Sequence, residues 1–248
     1  MRITICGDLT VEEESTVLRE TSLPGRLGRR LWAYLVLNRR RPIGREELYE
    51  ALWGDEAPDA ADTSLNALVS RVRSAFATLG SGTVEIRARG GQFTLSLPQD
   101  VFVDRERAWA AIHHVRAIRL SGQVREAWSE AVIANEIAAR GFLRGEAGGW
   151  IESERRVLRD IELQALEAIC DAELDQRRPD EAERVARRLI AADPLRESGY
   201  RGLMRALAAG GNPAQATRVM DECRSVLAAV GASPSAETER VLLEALGQ

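Results

Sequence analysis

Asparagine, serine and arginine side chains recur at helical spacing between residues 63 and 79. The apolar residues of this stretch recur at i, i+4, i+7 and i+11, which defines one buried face. At about 100° per residue, a set of polar and small residues lies away from that face: Asn66, Ala67, Ser70, Arg71, Arg73 and Ser74. Arginine and asparagine match the edges of guanine and adenine, and small residues let a helix enter a groove closely. The chemistry that this pattern favours is base recognition in duplex DNA.

The pattern alone also fits an ordinary amphipathic helix whose arginines are solvated. A predicted hairpin makes DNA recognition the better interpretation, because a groove-entering helix followed by a β-ribbon is a more specific combination. Val84, Ile86 and Ala88 alternate before a turn, and Phe93, Leu95 and Leu97 alternate after it. The turn itself consists of Arg89, Gly90 and Gly91, and together with Arg87 it could contact phosphates or a minor groove.

Other chemistry is poorly supported by the sequence. The adjacent His113 and His114 diverge by about 100° on a helix, so they do not easily share a metal ion. Three separated cysteines give no metal spacing and no paired disulfide framework. All 34 basic residues are arginine, and the missing lysine excludes a phosphate-binding loop of the P-loop type. We therefore expect no enzyme, cofactor or metal.

Three helices are predicted to position the DNA-facing residues. The first follows Pro24-Gly25 and ends near Asn38, and the second begins after Gly44 with Glu47 at its third position. The third covers residues 63–79, with Asp62 or Thr63 as its N-cap. Short strands are predicted before residue 20. Trp109, Trp128 and Trp150 are expected to pack into cores.

The charge of the 248-residue chain is unevenly distributed. The net charge is −4, but residues 26–97 carry 11 arginines against eight acids, and residues 98–248 carry 21 against 25. A mildly basic first half and an acidic second half suit a DNA-binding module joined to a partner-binding module. No apolar run is long enough to span a bilayer or to form a signal peptide, so we expect a cytoplasmic protein without a membrane contact.

The second half is predicted to be helical, with an internal repeat. Pro179 and Pro213 are 34 residues apart, as are Ala182 and Ala216, which is the tetratricopeptide period. Residues 122–127 resemble a third, earlier unit, separated from the others by a long helix over residues 150–176. The expected fold is an α+β winged helix-turn-helix domain over residues 1–98, followed by an all-α, tetratricopeptide-like domain over residues 99–248.

These segments resemble a known family. Residues 30–35 (RLWAYL), 45–54 (REELYEALWG) and 68–73 (LVSRVR) resemble the OmpR/PhoB-type winged helix of Streptomyces antibiotic regulatory proteins, or SARPs. Residues 150–152 and 193–197 resemble segments of the bacterial transcriptional activation domain that follows it. Two departures are Gly44, where a hydroxyl cap is usual, and Gln92-Phe93, where Gly-Tyr is usual. The resemblance covers the whole chain and implies a short form of the family.

The resemblance implies a transcriptional activator that binds promoter direct repeats in double-stranded DNA, as two copies or a homodimer on DNA, at the nucleoid. Helix 3 would enter the major groove, Arg45 and the turn at residues 39–41 would contact the DNA backbone, and Arg87, Arg89 and Gly90 would form the wing. It also implies that RNA polymerase and its sigma subunit are contacted by the helical half and by the acidic loop, in which the candidate residues are Trp53, Asp55, Glu56 and Asp59. The regulated genes would belong to antibiotic or other biosynthetic clusters.

Two alternatives stay open at this point. In one, the protein is a helical-repeat adaptor that has lost DNA binding and joins other proteins together. In the other, it is a ligand-gated repressor whose repeat groove holds a metabolite. The operator sequence, the target genes and dimerisation without DNA do not follow from the sequence.

Overall fold

The structure, a computed structural model, describes residues 1–79, 84–120 and 127–247. It forms two compact units. One contains Met1–Arg107 and Arg140–Leu158, and the other contains Ala108–Ala139 and Arg159–Gln248. The first unit is therefore assembled from two separate stretches of the chain. The sequence predicted a boundary between a domain of residues 1–98 and a domain of residues 99–248. This domain boundary stays a prediction.

All strands in the described residues belong to the first unit, and they form two sheets. In chain order they are β1 (Arg2–Thr4), β2 (Thr10–Glu13), β3 (Thr16–Arg19), β4 (Ile43–Gly44), β5 (Glu85–Arg89), β6 (Gln92–Ser96) and β7 (Phe102–Val103). One sheet has the order β3-β2-β1-β7, in which only the β1–β7 pair is parallel, and the other has the order β4-β6-β5. Strands β1, β2 and β3 confirm the prediction of short strands before residue 20, whereas β4 and β7 had not been predicted.

The helices dominate the rest of the described chain. They are α1 (Gly25–Leu37), α2 (Arg45–Trp53), α3 (Ala61–Phe76), α4 (Asp104–Leu120), α5 (Ala127–Ala138), α6 (Gly149–Asp175), α7 (Pro179–Ala192), α8 (Glu197–Ala209), α9 (Pro213–Ala228) and α10 (Ala236–Ala245). Among these described helices, none combines the length and the apolar character that a bilayer span requires.

Helices α1, α2 and α3 lie where the hydrophobic spacing predicts them. The α3 residues Leu65, Val69, Val72 and Phe76 are all buried, and the Trp32 ring of α1 packs against Phe76 with ring centroids 4.3 Å apart. Burying these large side chains holds α1 and α3 together. The exposed face of α3 is fixed in direction by this core.

The N-terminus of α3 differs from the prediction. The helix begins at Ala61, and its N-cap is Ala60, which offers no side-chain hydrogen bond. Asp62 and Thr63 therefore lie within the first turn instead of capping it. The expected cap was wrong because the Asp62 carboxylate accepts hydrogen bonds from side chains of α2. At α2, by contrast, Gly44 is the N-cap as predicted.

The second unit contains helix pairs at the predicted repeat period. Pro179 and Pro213 occupy the first turn of α7 and α9, where a missing N–H costs nothing. Helices α7 and α8 pack together, as do α9 and α10, around a shared core that includes Tyr200, Met204 and Met220. The predicted third unit at residues 122–127 lies, apart from Ala127, outside the described residues.

Two of the three tryptophans assigned to cores are more exposed than expected. Trp109 is 43% exposed and stacks edge-on against His113, and Trp128 is 37% exposed while its indole N–H donates to Glu173. The core assignment was wrong for these two. In the case of Trp128, a tryptophan with a polar partner for its N–H is stable at a partly solvated surface. Trp150 is half-buried and packs against Tyr34 and Phe142.

Candidate nucleic-acid interface

One face of α3 presents polar and small side chains to solvent. All six residues assigned to it from the sequence are exposed: Asn66, Ala67, Ser70, Arg71, Arg73 and Ser74. The buried apolar stripe on the opposite side fixes their direction. A convex helical surface of this kind is what a major groove can accept, because the groove is about 12 Å wide.

Arg71 lies at one edge of this face, about one turn before Ser74. Within the described residues, its guanidinium has no hydrogen-bond or ion-pair partner. A guanidinium without an intramolecular partner keeps all its donors available for a ligand. The neighbouring Ser74 differs, since its hydroxyl donates to the carbonyl oxygen of Ser70 at 3.1 Å.

Arg73 connects α3 to the hairpin. Its Nε and Nη2 atoms both donate to the backbone oxygen of Ile86, at 2.9 and 2.6 Å. Because β5 is an edge strand of its sheet, this contact joins an edge of the hairpin to the helix. Arg73 thus has a clear structural partner, and a DNA contact by the same side chain stays a prediction.

The hairpin of β5 and β6 forms the wing. Ile86, Phe93 and Leu95 are buried, and the turn contains Gly90 and Gly91 with φ of +58° and +77°. These backbone conformations favour glycine because it has no Cβ. The turn therefore lies where the Arg-Gly-Gly sequence predicts it.

The two arginines of the wing differ in their partners. Arg87 forms an ion pair with Glu85 on the same strand, with its Nη2 atom 2.6 Å from the Glu85 Oε2 atom. The hydrogen bond from Arg87 lowers the pKa of the Glu85 carboxyl. Arg89 is exposed and has no such partner among the described residues. Arg89 is therefore the more available cation of the pair.

Arg45, the first residue of α2, lies against α3. Its Nη1 atom is 2.6 Å from the Asp62 Oδ1 atom, and its Nη2 atom donates to the Asn66 Oδ1 atom at 3.3 Å. The same Asp62 oxygen accepts from the Tyr49 hydroxyl at 2.5 Å. The hydrogen bond from Tyr49, followed by the charge of Arg45, lowers the pKa of Asp62. Asp62 is thus a stable carboxylate within the predicted DNA-binding surface.

The arginine turn before α2 is tied to acidic residues. Arg39 donates to both oxygens of Glu106 at 2.7 and 2.9 Å, and Arg40 donates to the same carboxylate at 3.1 Å. Arg41 forms an ion pair with Glu47 of α2. The backbone contact with DNA expected for this turn stays a prediction, since each of its guanidinium groups already has a partner.

The acidic loop after α2 is open to solvent. Asp55, Glu56 and Asp59 are exposed, and Trp53 is half-buried with its ring 5.9 Å from that of Tyr49. Gly54 ends the helix with φ of +60°. The loop is therefore an accessible negative surface within the first unit.

The stretch Arg140–Leu158 adds a layer to the first unit. The Glu146 carboxylate is only 4% exposed and lies near three arginines of α1, with Arg26 Nε 2.6 Å from its Oε2 atom. Arg30 donates to the carbonyl oxygen of Leu52 at 2.7 Å, and the Trp150 indole donates to that of Ala51 at 2.9 Å. These contacts satisfy carbonyls near the end of α2, which would otherwise lack partners.

Groups with redox or metal chemistry are not part of this surface. Cys6, Cys170 and Cys223 are free and buried. Burial raises the pKa of the Cys170 thiol to about 12 and that of Cys223 to about 11, so neither is a reactive thiolate. Within the described residues, no group of three or more histidine, cysteine or acidic side chains is placed to hold a metal ion.

Sequence comparison decides the family. A family described as bacterial transcriptional activator domain matches residues 100–246, and one described as transcriptional regulatory protein, C terminal, matches residues 25–92. The chain belongs to the bacterial transcriptional activator domain family. The combination with an OmpR/PhoB-type winged helix is that of a SARP.

Individual relatives of this SARP support the same family assignment. The chain is 30% identical over 242 residues to the regulatory protein AfsR of Streptomyces griseus, which covers 96% of the chain and 24% of AfsR. With AfsR of Streptomyces coelicolor it is 32% identical over 205 residues, covering 81% of the chain and 20% of AfsR. The chain thus spans about a quarter or less of the length of these relatives.

A solved structure shares the fold of the SARP chain. The structure of Mycobacterium tuberculosis EmbR in complex with a low-affinity phosphopeptide matches it with a TM-score of 0.82 and 22% identity. The match covers 100% of the chain and 65% of EmbR. At this identity the likeness concerns the fold, a winged helix followed by a helical domain.

Two groups of residues in the SARP chain were missed from the sequence. Tyr49 and Asp62 join the predicted surface beside Arg45 and Asn66, and their i, i+4 spacing on α2 and α3 could have indicated it. Glu146 was not identified, and for Trp150 only core packing was expected. Both pack in the first unit although they come more than 90 residues after α2. No local pattern signals such a long-range contact.

Proposed function

We propose that this SARP is a sequence-specific activator of transcription that binds double-stranded DNA through α3 and the wing. The observation that carries the proposal is the exposed face of α3, where Arg71 has no intramolecular partner in the described part of the chain. Asn66 and Ser70 are exposed on the same side of α3, opposite its buried stripe. Such groups suit hydrogen bonding to base edges, which is how DNA sequence is recognised directly.

The charges of the first unit suit phosphate contacts around that face. Arg45 lies at the start of α2, which precedes α3, and Arg89 lies at the tip of the wing, which follows α3. Contacts to phosphates orient a protein on the duplex and depend strongly on salt. The proposed roles are base contacts by Asn66, Ser70 and Arg71, and phosphate contacts by Arg45 and Arg89.

Membership of the family supports the further parts of the proposal. Two copies bind direct repeats at a promoter in the cytoplasm, and the protein recruits RNA polymerase with its sigma subunit. The exposed acidic loop, with Trp53, Asp55, Glu56 and Asp59, is the proposed contact in the first unit. The helix pairs of the second unit present a further surface for the polymerase.

The first experiment tests specific DNA binding. Duplexes bound by the protein are selected from a random-sequence library, and the affinity for the selected site is then measured by gel shift. Arg71→Ala weakens this affinity by about 1–3 kcal/mol if Arg71 contacts a base. Arg218→Ala is the control, because Arg218 is an exposed arginine in α9 of the other unit. An absence of salt-sensitive affinity for any duplex would instead support the adaptor alternative.

The second experiment separates activation from DNA binding. The triple variant Asp55→Asn, Glu56→Gln, Asp59→Asn removes the negative charge of the loop while leaving α3 unchanged. We expect normal affinity for the selected duplex and reduced transcription by purified RNA polymerase in vitro. Normal transcription by this variant would exclude the loop as the polymerase contact, and DNase footprinting of the same promoter shows whether one or two repeats are protected.

A further inference from the structure

Asp62 is the sole acidic residue of α3 in the sequence, and it lies on the surface proposed to meet DNA. Its side chain is 72% exposed. A carboxylate in this position repels phosphates, so an activator that only needed tight binding would be better served by a neutral residue. The structure gives this carboxylate two donors, Arg45 and Tyr49, both from α2.

Arg45 is held on several sides. Besides Asp62, its guanidinium contacts the side-chain oxygen of Asn66 and lies over the Phe93 ring of β6, 5.4 Å from the ring centroid. Its side chain is 29% exposed. A cation that is exposed but paired in this way must leave its carboxylate partner before it can fully engage a phosphate.

We propose that Asp62 determines specificity by holding Arg45 and so suppressing sequence-independent binding to DNA, an inference that rests on the proposed function. Phosphate contacts supply nearly all of the affinity for arbitrary sequences. Withholding one of them weakens every non-specific complex. At the correct site, base contacts by α3 offset the cost of separating Arg45 from Asp62, so Arg45 engages a phosphate there and not on arbitrary duplexes. The ratio of specific to non-specific affinity therefore rises.

The test uses the full chain and a random-sequence 30-base-pair duplex, with binding followed by fluorescence anisotropy from low to high salt. Asp62→Asn frees Arg45 while keeping the size of the side chain. We expect affinity to increase about five- to tenfold near 0.1 M salt, and the slope of log affinity against log salt to steepen by about 0.9, the value for one added phosphate contact.

Glu46→Gln is the matched control. Glu46 is an exposed acid next to Arg45 in α2, and its removal changes the net charge by the same amount. We expect less than about a twofold change in affinity and no resolved change in slope, because no counterion-releasing contact is added. Equal effects of the two variants would show that only net charge matters and would overturn the proposal.

A double-mutant cycle tests whether Asp62 acts through Arg45. In the Arg45→Ala background, Asp62→Asn should change the affinity no more than Glu46→Gln does. A full increase in that background would overturn the proposal. Thermal unfolding verifies that each variant is folded, and Asp62→Ser replaces Asp62→Asn if the latter is not.

The outcomes also separate this inference from the proposed function. If Arg71→Ala weakens binding to the selected site while Asp62→Asn behaves like Glu46→Gln, the DNA-binding function stands and the role of Asp62 fails. If the unaltered protein binds no duplex at low salt, both fail. The difference in tyrosine absorbance between the unaltered protein and Asp62→Asn during an alkaline titration gives an independent reading of the cluster, because Tyr49 is the tyrosine that donates to Asp62. The hydrogen bond to Asp62 raises the phenol pKa, which should fall towards its ordinary value in Asp62→Asn.

Discussion

The Arg73 guanidinium donates twice to the carbonyl oxygen of Ile86, so the helix proposed to enter DNA and the wing beside it are joined by a single side chain. Hydrogen bonds from a charged group are worth more than those between neutral groups. A residue on the side of α3 that is proposed to face DNA thereby also fixes the position of β5.

We expect Arg73→Ala to lower the free energy of unfolding of the first unit by about 2 kcal/mol, because the Ile86 carbonyl loses a charged donor. Urea denaturation measures this change. The control is Arg71→Ala on the same helix, for which we expect a change within about 0.5 kcal/mol, since Arg71 has no partner in the described residues. Equal destabilisation by the two variants would contradict a structural role for Arg73.

The wing arginines should differ in their effect on DNA binding. Arg89→Ala should weaken binding to selected and random duplexes alike and reduce the salt slope by about one phosphate contact. Arg87→Ala should have a smaller effect, because Arg87 is paired with Glu85. Titrations of both variants at three salt concentrations test the order, and a larger effect of Arg87→Ala would contradict it.

Glu146 should be essential for the stability of the first unit. Replacing this buried carboxylate with glutamine leaves the α1 arginines near it without their counter-charge, and we expect a loss of about 3 kcal/mol in unfolding free energy. Glu152→Gln is the control, because Glu152 is an exposed partner of Arg155 at i, i+3. Its loss should cost no more than about 0.5 kcal/mol. Similar chemical-denaturation curves for the two variants would refute the importance of burial here.

The Arg39–Glu106 pair predicts a pH dependence of stability. The hydrogen bonds from Arg39 lower the pKa of Glu106 below its ordinary value of 4.5. The ionised, paired form therefore stabilises the folded state above pH 4.5, and this contribution is lost as the pH falls through the lowered pKa. The difference in unfolding free energy between the unaltered protein and Glu106→Gln should be constant above pH 4.5 and shrink below it. A difference that grows on acidification would contradict this sign.

Close packing in the second unit makes Gly202 sensitive to substitution. A Cβ atom there would lie 2.8 Å from the Cys170 sulfur, so Gly202→Ala should destabilise the unit by about 1–3 kcal/mol despite the higher helix propensity of alanine. Cys170→Ala should relieve the clash, so the double variant should be more stable than the sum of the two changes predicts. Strict additivity in thermal melts would show that the two side chains do not meet.

The sequence predicted the elements whose signals are local. The buried stripe of α3, the Arg-Gly-Gly turn and the proline-initiated helices each follow from spacing or backbone preference within one segment. The surface assigned to DNA also followed, because the direction of Asn66 and Arg71 is set by the apolar residues on the opposite side of α3.

Features that depend on contacts between distant residues were not predicted. Strand β7 pairs with β1 across about 100 residues, and Asp104 accepts from the backbone N–H groups of Ile5 and Cys6. The residue type and position of Asp62 predict a helix cap. Side chains on α2 compete for the same carboxylate, and a pattern within one helix cannot show that competition.

The two-part composition of the first unit sets an order of events during synthesis. Glu146 and Trp150 leave the ribosome only after the whole of α4 and α5 has been made. Domains generally fold as units while the chain emerges, at about 5–20 residues per second. At this rate the first unit, which is proposed to bind DNA, stays open for roughly several seconds, because the arginines of α1 still lack their carboxylate.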